Sequence, residues 1–157
     1  MTYPAETETF RARIRTFLDE NLPKDWKGIG ALVGQDRYEF QVAWRQTLRA
    51  NGLLAPNWPA EYGGAGLSHL EHVMLYEEFA KQGVPTAGPN DGFSIGMVGN
   101  TILAWGSEEQ KKTWLPRCAT GELVCAYALT ESGSGSDAAA MKTTAVVSPA
   151  SRSAGSF

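Results

Sequence analysis

The sequence predicts a mainly α fold, with an N-terminal helical bundle over residues 1–121 followed by the first strands of an incomplete β domain over 122–147 and an unstructured tail over 148–157. Three observations predict this. Five segments before residue 121 carry apolar residues at helical spacing or helix-capping signals. The first convincing strand, "ELVCAYALT", begins only at Glu122. The closing "SPASRSAGSF" is small and polar, with nothing to bury.

The elements follow in order. In "TETFRARIRTFLDENLP", Phe10, Ile14, Phe17 and Leu18 form one stripe, Arg11, Arg13 and Arg15 are expected to form a solvated face, and Pro23 stops the helix. A second helix opens at Asp36, with Glu39 at capping-box spacing; Phe40, Trp44 and Leu48 share its face and Asn51-Gly52 ends it. "LLAPNWPAEYGGAG" has no periodicity but carries two aromatics, so it reads as a long loop that packs. Ser68 and Glu71 cap a third helix that stops at Gly83. The fourth, "GFSIGMVGNTILAWG", is apolar nearly all round, which places it in the middle of a bundle or beside a pocket. Ser107 and Gln110 cap the fifth, and Pro116 should kink or end it within about a turn. "KTTAVV" reads as a second strand.

Composition narrows the function. The 157 residues are 43% hydrophobic and 20% charged, with a net charge of −3, which gives no electrostatic footprint for nucleic acid or an anionic membrane. No apolar run approaches the roughly 18 residues of a membrane span. The acidic N-terminus has no signal-peptide core. Cys118 and Cys125 sit among apolar residues and read as reduced, buried thiols of a cytoplasmic protein. His69 and His72 lie three apart on a helix without a third ligand, so no metal site is assigned. Lys111-Lys112 reads as a solvated face, and neither histidine has a triad motif around it.

The chemistry centres on "CAYALTESGSGSDAAAMK", residues 125–142. Gly133, Gly135 and Ala138 spell G-x-G-x-x-A after a strand, but a dinucleotide site needs a long helix immediately afterwards, and "DAAAMK" allows about one turn. "SGSGS" is also linker chemistry. A third reading starts from residues 127–130, where a strand end presents backbone groups and a hydroxyl in a row. Gly133 and Gly135 then let a ligand approach the backbone closely. A fused aromatic ring with hydrogen-bonding edges, such as a flavin, suits that surface.

"AYALTESGSGSD" resembles the Y-x-x-T-E-P-x-A-G-S-D signature of the acyl-CoA dehydrogenase family. "LLAPNWPAEYGGAGLS" resembles the family's loop between its second and third helices. "ILAWGSEEQKKTWLPRCATGELVCAYALTE" resembles its passage from the helical to the β domain. The similarity covers roughly residues 5 to 147. It departs at Ser132, where the family has proline, and at Ser134, where it has alanine; loss of the proline is expected to loosen the loop.

The resemblance implies an FAD-dependent oxidoreductase that removes two hydrogens from Cα and Cβ of an acyl-CoA thioester, in fatty-acid or related acyl-CoA catabolism. Tyr127, Leu129 and Thr130 would lie along the flavin, and Gly135 and Ser136 near its phosphates and the CoA portion of the substrate. Ser136 matches the position used towards acyl-CoA. Phe93, Ile95 and Val98 of the fourth helix are the expected acyl-pocket residues. No catalytic residue is assigned, because the family's glutamate base lies in a C-terminal helical domain beyond these motifs; Glu131 is read as structural. A homo- or hetero-oligomer is expected of the intact family member, without nucleic acid or membrane as partner. The sequence reads as a cut or frame-shifted N-terminal portion, inactive alone. The alternative is a non-catalytic binding or partner subunit that keeps the fold.

Overall fold

The structure, a computed structural model, describes residues 5–144 and 146. Five α-helices form among them: α1 (Ala5–Asn21), α2 (Gly34–Ala50), α3 (His69–Gln82), α4 (Asn100–Trp105) and α5 (Glu108–Thr120). A π-helical stretch, Gly92–Gly99, runs directly into α4. The chain divides into two compact units, Met1–Ala126 and Tyr127–Phe157.

The first unit is built on an aromatic core. Phe10, Ile14, Phe17 and Leu18 of α1 are buried together with Met74, Leu75 and Phe79 of α3 and with Trp44 and Leu48 of α2. Phe17 stacks on Phe79 at 6.3 Å between centroids and tilts against Trp44 at 5.5 Å. A second aromatic ladder, Trp26–Phe40–Trp44, continues from it at 4.4 and 5.9 Å. Offset stacks of this kind add to what area burial alone contributes.

Both later capping boxes form: Ser68 with Glu71 at α3, and Ser107 with Gln110 at α5, each with reciprocal side-chain and backbone hydrogen bonds. Gly83 closes α3 in the left-handed conformation, φ 61°. The box expected at Asp36 does not form. Helix α2 begins two residues earlier, at Gly34, and Glu39 accepts from the Gln35 side chain instead. Helix α5 ends at Thr120, one turn after Pro116.

The loop between α2 and α3 packs, as its aromatics required: Trp58 and Tyr62 are buried. Trp58 donates to the Asn100 side chain at 2.8 Å, and Gly99 faces its ring so closely that a Cβ there would stand 2.3 Å away. The fourth helical segment does not lie in the middle of the bundle. Phe93 is 46% exposed and Trp105 87%, while Ser94, Ile95 and Gly99 point inward. An apolar composition all round does not distinguish a central helix from one with an uncovered apolar face.

A second correction concerns the arginines of α1. Arg13 is exposed over the Phe10 ring, but Arg11 is buried and donates to Glu77 and Glu78 of α3. Arg15 and Lys81 reach the same Glu78 carboxylate at 2.8 and 2.6 Å. Burial alone would raise the Glu78 carboxyl, but hydrogen bonds from Arg15, Lys81 and Arg11 outweigh it and hold it down at about 2. Heptad position alone does not show that two facing helices bring opposite charges to one buried point.

The strand expected over residues 122–130 forms no ladder among the described residues, whose one β-bridge joins Glu131 to Ser134. A strand exists only by pairing with another. Here the backbone groups of Leu123 and Cys125 are taken by Arg117, Ser94 and Asn90 of the helical unit. Of the second expected strand, residues 142–144 and 146 are described and lie in none; 145 and 147 fall outside the described residues. The tail over 148–157 also lies outside them.

Candidate functional site

The loop of the second unit is closed by its own side chains. Glu131 and Ser134 exchange backbone hydrogen bonds at 2.9 and 3.2 Å, making a two-residue turn over Ser132 and Gly133. The Ser134 hydroxyl, buried, donates to the Asp137 carbonyl at 2.7 Å. The Glu131 carboxylate accepts the backbone N–H of Lys142 at 2.9 Å and of Thr143 at 2.8 Å, spanning the whole loop. Hydrogen bonds from Thr143 and Lys142 hold its pKa below the usual carboxylate range.

This arrangement bears on all three readings of the motif. Among the described residues a single 3-10 turn, Ala138–Ala140, follows the glycines and offers no helix N-terminus of useful length to a pyrophosphate. The cross-loop bonds are not those of an open Gly-Ser linker. The loosening expected from Ser132 in place of proline is opposed by the other departure, because the Ser134 hydroxyl ties the turn to Asp137 as an alanine cannot.

Around this scaffold, Thr130, Gly135 and Ser136 are exposed, Tyr127 is 48% exposed and Leu129 is half-buried. A Cβ built at Gly133 or Gly135 meets nothing within 4 Å, so the backbone there is open to a ligand. Bare backbone at Gly133 and Gly135 thus lies between exposed Thr130 and Ser136 in the chain.

In the helical unit, Ile95 joins the core, Val98 is half-buried and Phe93 faces solvent, so the three expected acyl-pocket residues do not share one environment. Among the described residues, clefts open on this unit at two places of note. One, of about 290 Å³, runs between Trp26, Phe40 and the turn near Gly28. The other, of about 190 Å³, is floored by Arg45 and Asp91 and walled by Tyr38, Val42, Leu123 and Val124.

Sequence reasoning missed that floor. Arg45 of α2 is buried, its Nε 2.8 and 2.9 Å from the two Asp91 oxygens, and its Nη2 reaches the carbonyls of Cys118 and Ala119 at 3.2 and 3.3 Å. Asp91 also accepts from the Gly88 N–H at 2.7 Å. A cation on the last carbonyls of α5 meets the negative end of that helix. The signal available was one charged residue between Trp44 and Leu48, inside the apolar stripe.

The helix-borne histidines gather no metal-binding group among the described residues. The His72 Nε2 is buried without a hydrogen-bond partner and its ring meets Tyr76 edge-on at 4.4 Å; burial, then His69, push its pKa down. No helix among the described residues is long and apolar enough to cross a membrane.

Comparison with known proteins agrees with the geometry. The sequence model for "Acyl-CoA dehydrogenase, N-terminal domain" matches residues 4–122. The acyl-CoA dehydrogenase IpdE1 of Mycobacterium tuberculosis is 35% identical over 144 residues, which cover 89% of this chain and 37% of the relative. The crystal structure of the ChsE4–ChsE5 complex from the same organism superposes with a TM-score of 0.66 at 31% identity, covering 95% of this chain and 36% of that one. An acyl-CoA dehydrogenase complexed with FAD from Bacillus anthracis gives 0.61 at 31% identity, covering 89% and 23%. The chain thus spans 37% of IpdE1 and 36% and 23% of the two solved chains, and the family model over residues 4–122, together with that relative, places it in the acyl-CoA dehydrogenase family.

Proposed function

We propose that this chain contributes the N-terminal helical portion and one flavin-facing wall of a cytoplasmic, FAD-dependent acyl-CoA dehydrogenase acting in acyl-CoA catabolism. The observation that carries this reading is the closed 131–143 loop, with open backbone at Gly133 and Gly135 between the exposed hydroxyls of Thr130 and Ser136. When bound, FAD supplies the hydride acceptor for α,β-dehydrogenation. Tyr127 and Leu129 offer a surface for the ring, Thr130 a hydroxyl to its edge, and Gly135 and Ser136 backbone and hydroxyl donors to phosphate oxygens. Ser136 also faces the CoA portion of the substrate. Of the three expected acyl-pocket residues, Phe93 and Val98 would border the acyl chain's path, while Ile95 belongs to the core of the helical unit.

Glu131, the acid beside the glycines of the signature, is engaged in holding Lys142 and Thr143. No residue of this chain is proposed as the proton-abstracting base, which the resemblance places in the family's C-terminal helical domain. General-base catalysis is worth about 10²–10⁴-fold. One wall leaves most of the cofactor in water against several kcal/mol of lost freedom. The isolated 157-residue chain should neither retain FAD through desalting nor oxidise acyl-CoA with an artificial acceptor. Titrating FAD at millimolar concentration into the ¹⁵N-labelled chain should shift amides between residues 127 and 136. Shifts confined to the Trp26 cleft would refute the flavin-facing assignment, whereas a stoichiometric yellow protein or turnover above the no-protein control would refute the claim that the isolated chain is insufficient.

A second reading has one observation in its favour. The ChsE4–ChsE5 neighbour is a complex of two differently named chains, so this chain can also serve as a non-catalytic partner subunit of a hetero-oligomer.

A further inference from the structure

The chain's two cysteines, seven positions apart in sequence, bring their sulfurs to 3.8 Å. Cys118 lies buried on the last turns of α5, and Cys125 is half-buried on the segment that follows. Both ends of the intervening loop are held. Gly121 and Leu123 donate to the carbonyls of Cys118 and Arg117 at 3.1 and 3.2 Å, the Cys125 N–H donates to the Ser94 hydroxyl at 3.0 Å, and Asn90 donates to the Cys125 carbonyl at 3.3 Å. Gly121 adopts φ 78° and faces Arg45 so closely that a Cβ would lie 2.7 Å from its Nη1. The thiols are therefore set side by side by the fold. A disulfide needs sulfurs about 2.05 Å apart, so roughly 2 Å of side-chain rotation separates the pair from a bond.

The residues enclosed between them form one wall of a cleft. Thr120, Gly121, Leu123 and Val124 face Tyr38, Val42 and the Arg45–Asp91 pair across about 190 Å³. We propose that Cys118 and Cys125 are a reversible disulfide site for a hydroperoxide oxidant, and that closing it locks this wall of the cleft.

The order of events follows from exposure. Cys125 is the more exposed of the two residues and is therefore assigned as the first to meet a small oxidant. Its thiolate attacks one peroxide oxygen, the O–O bond breaks, hydroxide leaves and takes up a proton as water, and Cys125 becomes a sulfenic acid. Burial pushes the Cys118 thiol up to about 12, so it stays protonated and does not compete for peroxide. It then resolves the sulfenic acid: its sulfur attacks that of Cys125, the S–O bond breaks, and the departing hydroxide leaves as water with the Cys118 proton. In sum, two thiols and one hydrogen peroxide give one disulfide and two waters.

The test treats the reduced 157-residue chain with equimolar hydrogen peroxide. Intact mass should fall by about 2 Da without a covalent dimer, a peptide map should join Cys118 to Cys125, and dithiothreitol should restore the mass. The Cys118→Ser variant should instead hold a sulfenic acid at Cys125 that dimedone captures. Closure should run at least about tenfold faster in the native chain than in urea, because the fold supplies the proximity. Amides from Gly121 to Val124 should exchange more slowly once the bond has formed. An unchanged native mass, sulfinic acid at Cys125 without a link, a disulfide-linked dimer, equal rates in urea, or unchanged exchange at the cleft wall would each overturn the proposal.

Discussion

The α1–α3 face and the segment from residue 122 to 144 are held together by different means. The helices satisfy their backbone hydrogen bonds internally, so their partners need supply only apolar surface and counter-charge. Phe10, Ile14, Phe17 and Leu18 find that surface on Met74, Leu75 and Phe79, and Arg11 finds its counter-charge on Glu77 and Glu78. Residues 123–130 lie in no helix or strand among the described residues, so their backbone groups must find partners elsewhere. Val124 is 78% exposed there, and the order that exists rests on single hydrogen bonds from Leu123 and Cys125 and on the Glu131 carboxylate. A helix can be complete with one face covered, whereas a strand is completed only by a neighbour.

Breaking the helical side should cost most. Phe79 is fully buried between Phe17 and Trp44, so Phe79→Ala should lower unfolding free energy by about 4 kcal/mol in urea titration. A loss under about 1 kcal/mol would mean that the aromatic core does not hold the bundle.

Glu78→Ala should cost about 3 kcal/mol, the low end for breaking a buried ion pair, because Arg11 keeps Glu77 and both Arg15 and Lys81 reach water. Acid should do the same gradually. The Glu78 carboxyl titrates at about 2 when folded, below its ordinary value near 4.5. The unfolded chain therefore binds more protons, and the contribution is present above about pH 4.5 and lost as pH falls towards 2. His72 acts in the same direction at higher pH: its folded pKa is lowered, so stability falls as pH drops through about 6.5 and the unfolded imidazole charges. Glu78→Ala and His72→Phe should each flatten its own part of the stability–pH curve, the first below pH 4.5 and the second near 6.5.

Hydrogen exchange sharpens the contrast without a mutation. Amides of residues 122–130 should exchange well before those of α3, with Leu123 and Cys125 slower than their neighbours because each has an acceptor. Protection across 122–130 equal to that of α3 would abolish the distinction between the regions.

The smallest expected effect isolates the loop. Glu131→Ala should change global stability by less than about 0.5 kcal/mol, since the bonds its side chain makes among the described residues are to Lys142 and Thr143 of the same unit. It should nevertheless remove protection at Lys142 and Thr143. Destabilisation of α1 or α3 by this variant would contradict the picture of a self-contained loop.

Helix positions, two of the three expected capping boxes, the packed Trp58–Tyr62 loop and the family signature were all legible in the sequence, because each depends on residues within a few positions of one another. Helical periodicity, a Ser-x-x-Glu cap and a glycine stop are local physics. Tertiary structure alone decided that Arg11 is buried while Arg13 is not, that Arg45 floors a cleft with Asp91, that Phe93 faces outward, and that Cys118 meets Cys125. It also decided that "ELVCAYALT" forms no ladder among the described residues, its hydrogen bonds going to Ser94, Asn90 and Arg117. Charge pairing, cleft formation and strand pairing depend on what a distant part of the chain brings to the same point, and a reading confined to spacing along the sequence contains no term for that.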